Sequence, residues 1–366
     1  MSSESKDHPE LGRKVEIGSI DAELHKLWSE DEARTNASLM NLAVYSETPG
    51  ALVENSAAVR ELTREHACRA LLIEMQPQAE DNRIDAWITA HCHLSSGRKS
   101  VCCEQIAFSL TGRVTGRLSN TVFAHLNSDL PLILWWQGEL SPIFGERLYS
   151  LVNRFIFDSA SWANPAASFA RLVEATMTAP NLIVQDLSWT RTFQFRVSIA
   201  ALFDDPVAQE ALPRIDSVEI VHHPAHHIAA LQLLTWLVTQ VGWKPAGELP
   251  LGDPRQGRGN VVGYAYESTT GAPVQITMRA DHDSPALGRL SISAGEVKVQ
   301  VTRNANARLL LRELEAPGHH VEDLAPSDHE DSVALIGDQL SRGGKNSLFN
   351  KILPQFLELL NGHHPG

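Results

Sequence analysis

The run Leu130-Pro131-Leu132-Ile133-Leu134-Trp135-Trp136-Gln137-Gly138 restricts the folds open to this chain more than any other stretch. It is apolar without alternation and is bounded by Asp129 and Gly138. A short run of this kind predicts a strand buried on both faces, at the centre of a parallel sheet. The two indoles then point to opposite faces, and each N–H needs a partner or a route to water.

The flanking sequence supplies such a sheet. A strand over Leu39–Tyr45, a helix over Ala51–Glu65 and a strand over Ala70–Glu74 form a βαβ unit. Asp85–Leu94 and Val101–Leu110 alternate in polarity around Ser95-Ser96-Gly97-Arg98, which predicts an inserted antiparallel hairpin. A helix stripe of Leu118, Val122 and Leu126 leads into the Trp-Trp strand, and Ser141-Pro142 has the form of a helix start. Strands over Phe155–Asp158, Leu182–Asp186 and Val218–His222 then alternate with helices near 165–178, 190–203 and 225–241. The expectation is an α/β fold with a mostly parallel, doubly wound sheet.

Composition shifts to Pro, Gly and charge between Trp243 and Gly259, and the alternation that follows, from 260 to 312, predicts an antiparallel meander. Glu313–Asp331 holds seven acidic residues and no Lys or Arg, and reads as a solvated loop. Ser327 with Glu330 has the pattern of a capping box, and Pro354 is expected to kink or break the last helix. The expected organisation is a flexible tail (1–17), an α/β domain (18–245), a linker (246–259) and a smaller antiparallel α+β domain with C-terminal helices (260–366).

With 44 acidic against 31 basic residues the net charge is −13, which argues against nucleic acid as a partner. No apolar run is long enough to cross a bilayer, and the first residues lack the apolar core of a signal peptide. Four cysteines in such a chain suggest a cytoplasmic protein with reduced thiols.

Several strands end in polar residues: Gln137, Asp158, Asp186 and His222. Ligands of open α/β sheets bind beyond the carboxyl ends of strands, so these four form a candidate ligand crevice, with a sugar phosphate as the ligand to try. Capping of strands and helices is the alternative explanation. His91 and His93 share a strand face, and Cys103 on the paired strand could complete a metal set, but the spacing matches no zinc finger or ribbon. Satisfied sheet histidines and buried thiols explain these residues better. His222-His223-Pro224-Ala225-His226-His227 is the densest histidine cluster and fits a helix start. The sequence contains no P-loop, no G-x-G-x-x-G after the first strand, no G-x-S-x-G and no H-E-x-x-H. It implies no cofactor.

Val101-Cys102-Cys103-Glu104-Gln105-Ile106 and Asp129-Leu130-Pro131-Leu132-Ile133-Leu134-Trp135-Trp136 resemble the glucose-6-phosphate dehydrogenase assembly protein family (OpcA). Asn41-Leu42-Ala43-Val44-Tyr45, Phe157-Asp158-Ser159-Ala160 and Asp186-Leu187-Ser188-Trp189-Thr190-Arg191 fit the same pattern in the same order, as does Ala200-Ala201-Leu202-Phe203-Asp204. The resemblance covers about residues 15–250. It implies a non-catalytic factor that binds glucose-6-phosphate dehydrogenase and promotes its active oligomer in the oxidative pentose phosphate pathway. The alternative is a sugar-phosphate-binding or metal-binding α/β protein. An activator needs aromatic or Arg anchors on its surface, and Trp189 and Arg191 would serve if exposed.

Overall fold

The computed structural model describes residues 7–29, 34–36, 38–95, 99–246, 260–304, 308–342 and 346–362. The expected linker lies almost wholly outside them, as do most of the hairpin tip, residues 1–6 of the expected N-terminal tail and Gly343-Gly344, while the rest of that tail carries a short strand paired into the first sheet. Contacts divide the chain into two compact units, Met1–Asp158 with Ala170–Gln185 and Ile336–Lys345, and Ser159–Phe169 with Asp186–Leu335 and Asn346–Gly366.

The first unit is built on nine strands among the described residues. They are β1 (Arg13–Val15), β2 (Arg34–Asn36), β3 (Met40–Ser46), β4 (Cys68–Gln76), β5 (Arg83–Ser95), β6 (Lys99–Thr111), β7 (Leu132–Trp136), β8 (Arg154–Phe157) and β9 (Ile183–Asp186). The order is β1-β5-β6-β4-β3-β7-β8-β9, with β2 on β6. β3 runs parallel to both β4 and β7, and β7 is parallel to β8, so the Trp-Trp strand is interior as its apolar run requires. All five residues of β7 are buried. The hairpin β5–β6 is antiparallel, and β6 joins β4 in parallel register, which makes the sheet mixed. Helices α1 (Ile20–Ser29), α2 (Ala51–Leu62), α3 (Leu118–Thr121), α4 (Glu146–Tyr149) and α5 (Pro165–Thr178) connect these strands. The helix expected from Ser141-Pro142 begins only at Glu146 and spans one turn, because Ser141 caps a turn instead, its Oγ accepting from Ile143 N at 3.4 Å.

The second unit continues with α6 (Leu187–Thr190), α7 (Phe193–Leu202), α8 (Pro206–Ala211), β10 (Ser217–His222) and α9 (His227–Val241). Then come β11 (Lys244–Pro245), β12 (Val261–Glu267), β13 (Pro273–Ala280), β14 (Leu287–Ala294), β15 (Val297–Arg303), β16 (Leu309–Ala316), β17 (His319–Pro326), α10 (Ser332–Ser341) and α11 (Ser347–Leu360). Their strand order is β11-β12-β13-β10-β14-β15-β16-β17.

Three expectations change here. β10 belongs to this second sheet, parallel to β13 and antiparallel to β14. Its apolar residues Val218 and Ile220 match Ile276, Met278, Leu290 and Ile292 as well as they would match a parallel neighbour, and the βα pattern around it does not say which sheet it enters. The acidic stretch expected as a loop forms the hairpin β16–β17, turning at Pro317-Gly318 with Gly318 at φ +73°. There, alternation outweighs charge: Leu310, Leu314 and Ala325 are buried while Glu315 and Glu322 face outward. Finally, α10 is capped by Asp331, whose Oδ1 accepts from Ala334 N at 2.9 Å, rather than by Ser327. Pro354 lies inside α11 without ending it.

One face of the second sheet carries α7, α8 and α9. Helix α9 is buried without interruption from Ile228 to Val238, and α11 packs against it.

Candidate functional site

At the carboxyl end of β7 the side chains find partners within the fold. Trp136 is 1% exposed and stacks on Tyr45 with ring centroids 3.9 Å apart. Its Nε1 donates to Glu139 O at 3.0 Å, which satisfies the indole within the fold. Gly138 takes φ +82°, a conformation only glycine adopts freely, and so turns the chain sharply after the strand. Gln137 exchanges two hydrogen bonds with Asn55 of α2: Nε2 donates to Asn55 Oδ1 at 2.7 Å, and its Oε1 accepts from Asn55 Nδ2 at 3.0 Å. Asp158 follows β8 and is half-buried. Gln137 and Asp158 therefore follow neighbouring strands, Trp136 being opposite Phe157.

The turn from β3 to α2 is Glu47-Thr48-Pro49-Gly50. Tyr45 Oη donates to Glu47 Oε1 at 2.6 Å, and burial together with Glu47 pushes the phenol well above its ordinary pKa. Thr48 N donates to Ser46 Oγ (3.2 Å), and Ala51 N to Thr48 O (3.2 Å). Leu52 N points at the buried Glu74 carboxylate, 3.4 Å away, whose other oxygen accepts from Gln76 Nε2 at 2.6 Å. Pro49 has no N–H to offer. The first amides of α2 are thus engaged locally, and the Glu74 carboxylate lies beside them. Glu74 closes an otherwise apolar strand in the sequence, and that was the signal available for it.

Asp186 and His222 lie in the second unit. Asp186 is fully buried and caps α6. Its Oδ1 accepts from Ser188 N (2.9 Å) and Ser159 N (3.1 Å), and its Oδ2 from Ser159 Oγ (2.5 Å) and Gln232 Nε2 (2.7 Å). Four donors leave this carboxylate little capacity for a ligand. His222, 3% exposed, directs Nδ1 to His223 O at 2.8 Å and its ring lies 5.4 Å from His227. Burial lowers the pKa of both rings, that of His227 to about 4, so both are neutral near pH 7. Gln137, Asp186 and His222 thus each make hydrogen bonds within their own unit.

Trp189 and Arg191 do not meet the condition of exposure. Trp189 is 3% exposed, packs on Phe349 and carries the Arg196 guanidinium 3.6 Å above its ring, while Arg191 is 4% exposed. A surface anchor cannot be built on either as they stand. The metal set is not assembled either. His91 Nε2 is bonded to Gln105 Oε1 (2.8 Å) and His93 Nε2 to Thr63 Oγ1 (3.0 Å), and burial pushes the Cys103 thiol up in pKa. Among the described residues no three His, Cys, Asp or Glu side chains could hold an ion. Cys92 and Cys102, directly opposite on β5 and β6, form a disulfide, where reduced thiols were expected. The pairing was hidden in the sequence because it depends on the register of the hairpin.

Sequence reasoning also missed a polar cavity of about 380 Å³ beside the first residues of β3 and β4, lined by Asp21, His25, Arg69, Glu104 and Asn127. Arg69 sits between the carboxylates of Glu104 (3.2 Å) and Asp21 (3.5 Å), so its charge is balanced inside the cavity.

Two mixed sheets with helical connections place the chain in the class of two-unit α/β folds that includes NADP-dependent oxidoreductases. KijD10, a 3-ketoreductase from Actinomadura kijaniata, in its open conformation with TDP-benzene and NADP, matches with TM-score 0.51 and 10% identity over 89% of this chain and 97% of that one. A second structure of KijD10 with NADP and TDP-benzene gives 0.50 and 10%, over 88% and 96%. At this identity the likeness is one of fold alone.

The chain belongs to the OpcA family of glucose-6-phosphate dehydrogenase assembly proteins. Residues 59–174 match the glucose-6-phosphate dehydrogenase subunit N-terminal domain, and residues 183–353 match the corresponding C-terminal domain. Proteins named OxPP cycle protein OpcA from Synechocystis sp. and Synechococcus elongatus are 24% and 23% identical to it, over 84% and 83% of this chain. The chain spans only 66% and 69% of their length.

A dinucleotide, which the fold class brings to mind, does not fit the residues present. Its pyrophosphate would need free amides and a glycine-rich turn at the N-terminus of α2. Here Glu47, Pro49 and Glu74 occupy that position.

Proposed function

We propose that this chain is a non-catalytic partner of glucose-6-phosphate dehydrogenase, which it binds and whose active oligomer it favours. Membership of the OpcA family and the names of the two cyanobacterial relatives support the association with that enzyme and with the oxidative pentose phosphate pathway. The observation that carries the non-catalytic part is the β3–α2 turn, where the Glu74 carboxylate faces the amide that a phosphate would require. The paired Gln137 at the carboxyl end of β7 and the fully bonded Asp186 point the same way. An activator of this kind acts by binding one state of the enzyme more tightly than another.

The test mixes purified dehydrogenase with this chain and follows complex mass by native mass spectrometry. The expected result is a stoichiometric complex and a larger share of the enzyme's active oligomer. Separate species at every ratio would overturn the reading.

A further inference from the structure

We propose that the face of the second sheet opposite α7, α8 and α9 is a self-complementary surface on which a second copy of this chain docks, with the two-fold axis running along the strands. The helices α7, α8 and α9 cover one face of this sheet through Val218, Ile220, Ile276, Leu290, Val299 and their neighbours. The other face is presented by alternate residues. Register places Arg279, Glu219 and Arg289 across β13, β10 and β14, Lys298 on β15, and Glu313, Glu315 and Glu322 on β16 and β17.

The charge on this face is polarised. Glu219 is held between Arg279 and Arg289, so β13–β14 keeps a net positive charge. Glu313 and Glu322 lie directly opposite each other on the far strands, with Glu315, opposite Lys298 of β15, beside them. Like charges directly opposite are unfavourable in an isolated hairpin, and a cationic surface laid over them relieves the cost. The same acidic end carries an apolar pair, Leu311 opposite Leu324, with Leu324 62% exposed.

An isologous contact must bring this face against itself. Rotation about an axis along the strands lays β16–β17 of one copy over β13–β14 of the other, so acidic meets basic twice. Rotation about the in-plane axis across the strands would set glutamate over glutamate. The charge pattern therefore selects one of the two symmetric packings. The size also fits: seven strands of six to eight residues cover roughly 25 Å by 30 Å, close to the ~800 Å² per partner of a standard stable interface.

The test is a charge swap read by sedimentation velocity. Variant one carries Glu313→Lys and Glu322→Lys, making both ends basic. Variant two carries Arg289→Glu and Lys298→Glu, leaving Arg279 to pair with Glu219. The wild-type chain is expected at twice 40.2 kDa. Each variant alone is expected as a monomer, and an equimolar mixture as a one-to-one dimer. A wild-type monomer at about 100 μM, a concentration at which a contact of this size is populated, would overturn the proposal. So would dimers that persist in both variants, or a mixture that stays monomeric. Far-UV circular dichroism checks the fold. If either variant fails to fold, Leu324→Asp at its exposed position is the substitute, and an unchanged dimer would overturn the proposal equally.

Discussion

Removing the Asp186 carboxylate tests whether the polar residues at strand ends are architecture. In Asp186→Ala the donors Ser159 N, Ser188 N and Gln232 Nε2 lose their acceptor inside a fully buried site, while Ser159 Oγ can rotate toward another. Hydrogen bonds to a charged group contribute about 1.5–3 kcal/mol each, and stranded buried donors cost a comparable amount. Three fixed donors put the loss at about 4.5–9 kcal/mol, and the cap of α6 is lost with them. Asp186→Asn keeps one oxygen for the two backbone donors, and Gln232 can turn its own oxygen to the new amide, so about 1–2 kcal/mol is expected. Urea denaturation followed by circular dichroism separates these values. Asp186→Ala within about 1 kcal/mol of wild type would refute the argument, because a carboxylate so easily lost from the core would not be holding it together.

Other consequences are as direct. Trp136→Ala should cost about 3–5 kcal/mol, as a fully buried Trp does, and Trp136→Phe much less, since Phe keeps a ring on Tyr45; thermal melts decide. His227 is held neutral, with its pKa lowered to about 4, so its unfolded form binds more protons between about pH 4 and 6.5 and stability falls as pH drops through that window. The loss amounts to about 2–3 kcal/mol at the lower end, and His227→Gln should flatten the slope; a slope unchanged by the substitution contradicts the reading. Thiol titration of the denatured, unreduced chain should find two thiols outside the disulfide, Cys68 and Cys103; four would rule out the Cys92–Cys102 bridge. Calorimetric titration with NADP should show no saturable heat, given Glu47 and Glu74 at the N-terminus of α2.

The first sheet was largely legible. An unbroken apolar run identifies a two-face-buried strand, and β7 lies interior with all five residues covered. Helix α5 lies where its apolar spacing and Pro165 put it. What failed was long-range or set by register. β10 has the same local pattern whichever sheet it joins, and only its pairing with β13 and β14 decides. The acidic stretch hid a hairpin because charge suggests solvent, yet half of each strand is free to be charged when the other half is buried. The candidate crevice was a list of strand ends, and a strand end does not disclose its neighbour: Gln137 meets Asn55, and Asp186 meets Ser159 and Gln232. Trp189 was too apolar to remain at the surface, and Phe349 and Arg196 enclose it.

The most direct test of the central claim is NADPH production by a fixed amount of glucose-6-phosphate dehydrogenase titrated with this chain. The account predicts a saturable rise in rate with the enzyme present and none from the chain alone. An unchanged rate across the titration, or NADPH formed by the chain without the enzyme, would contradict it.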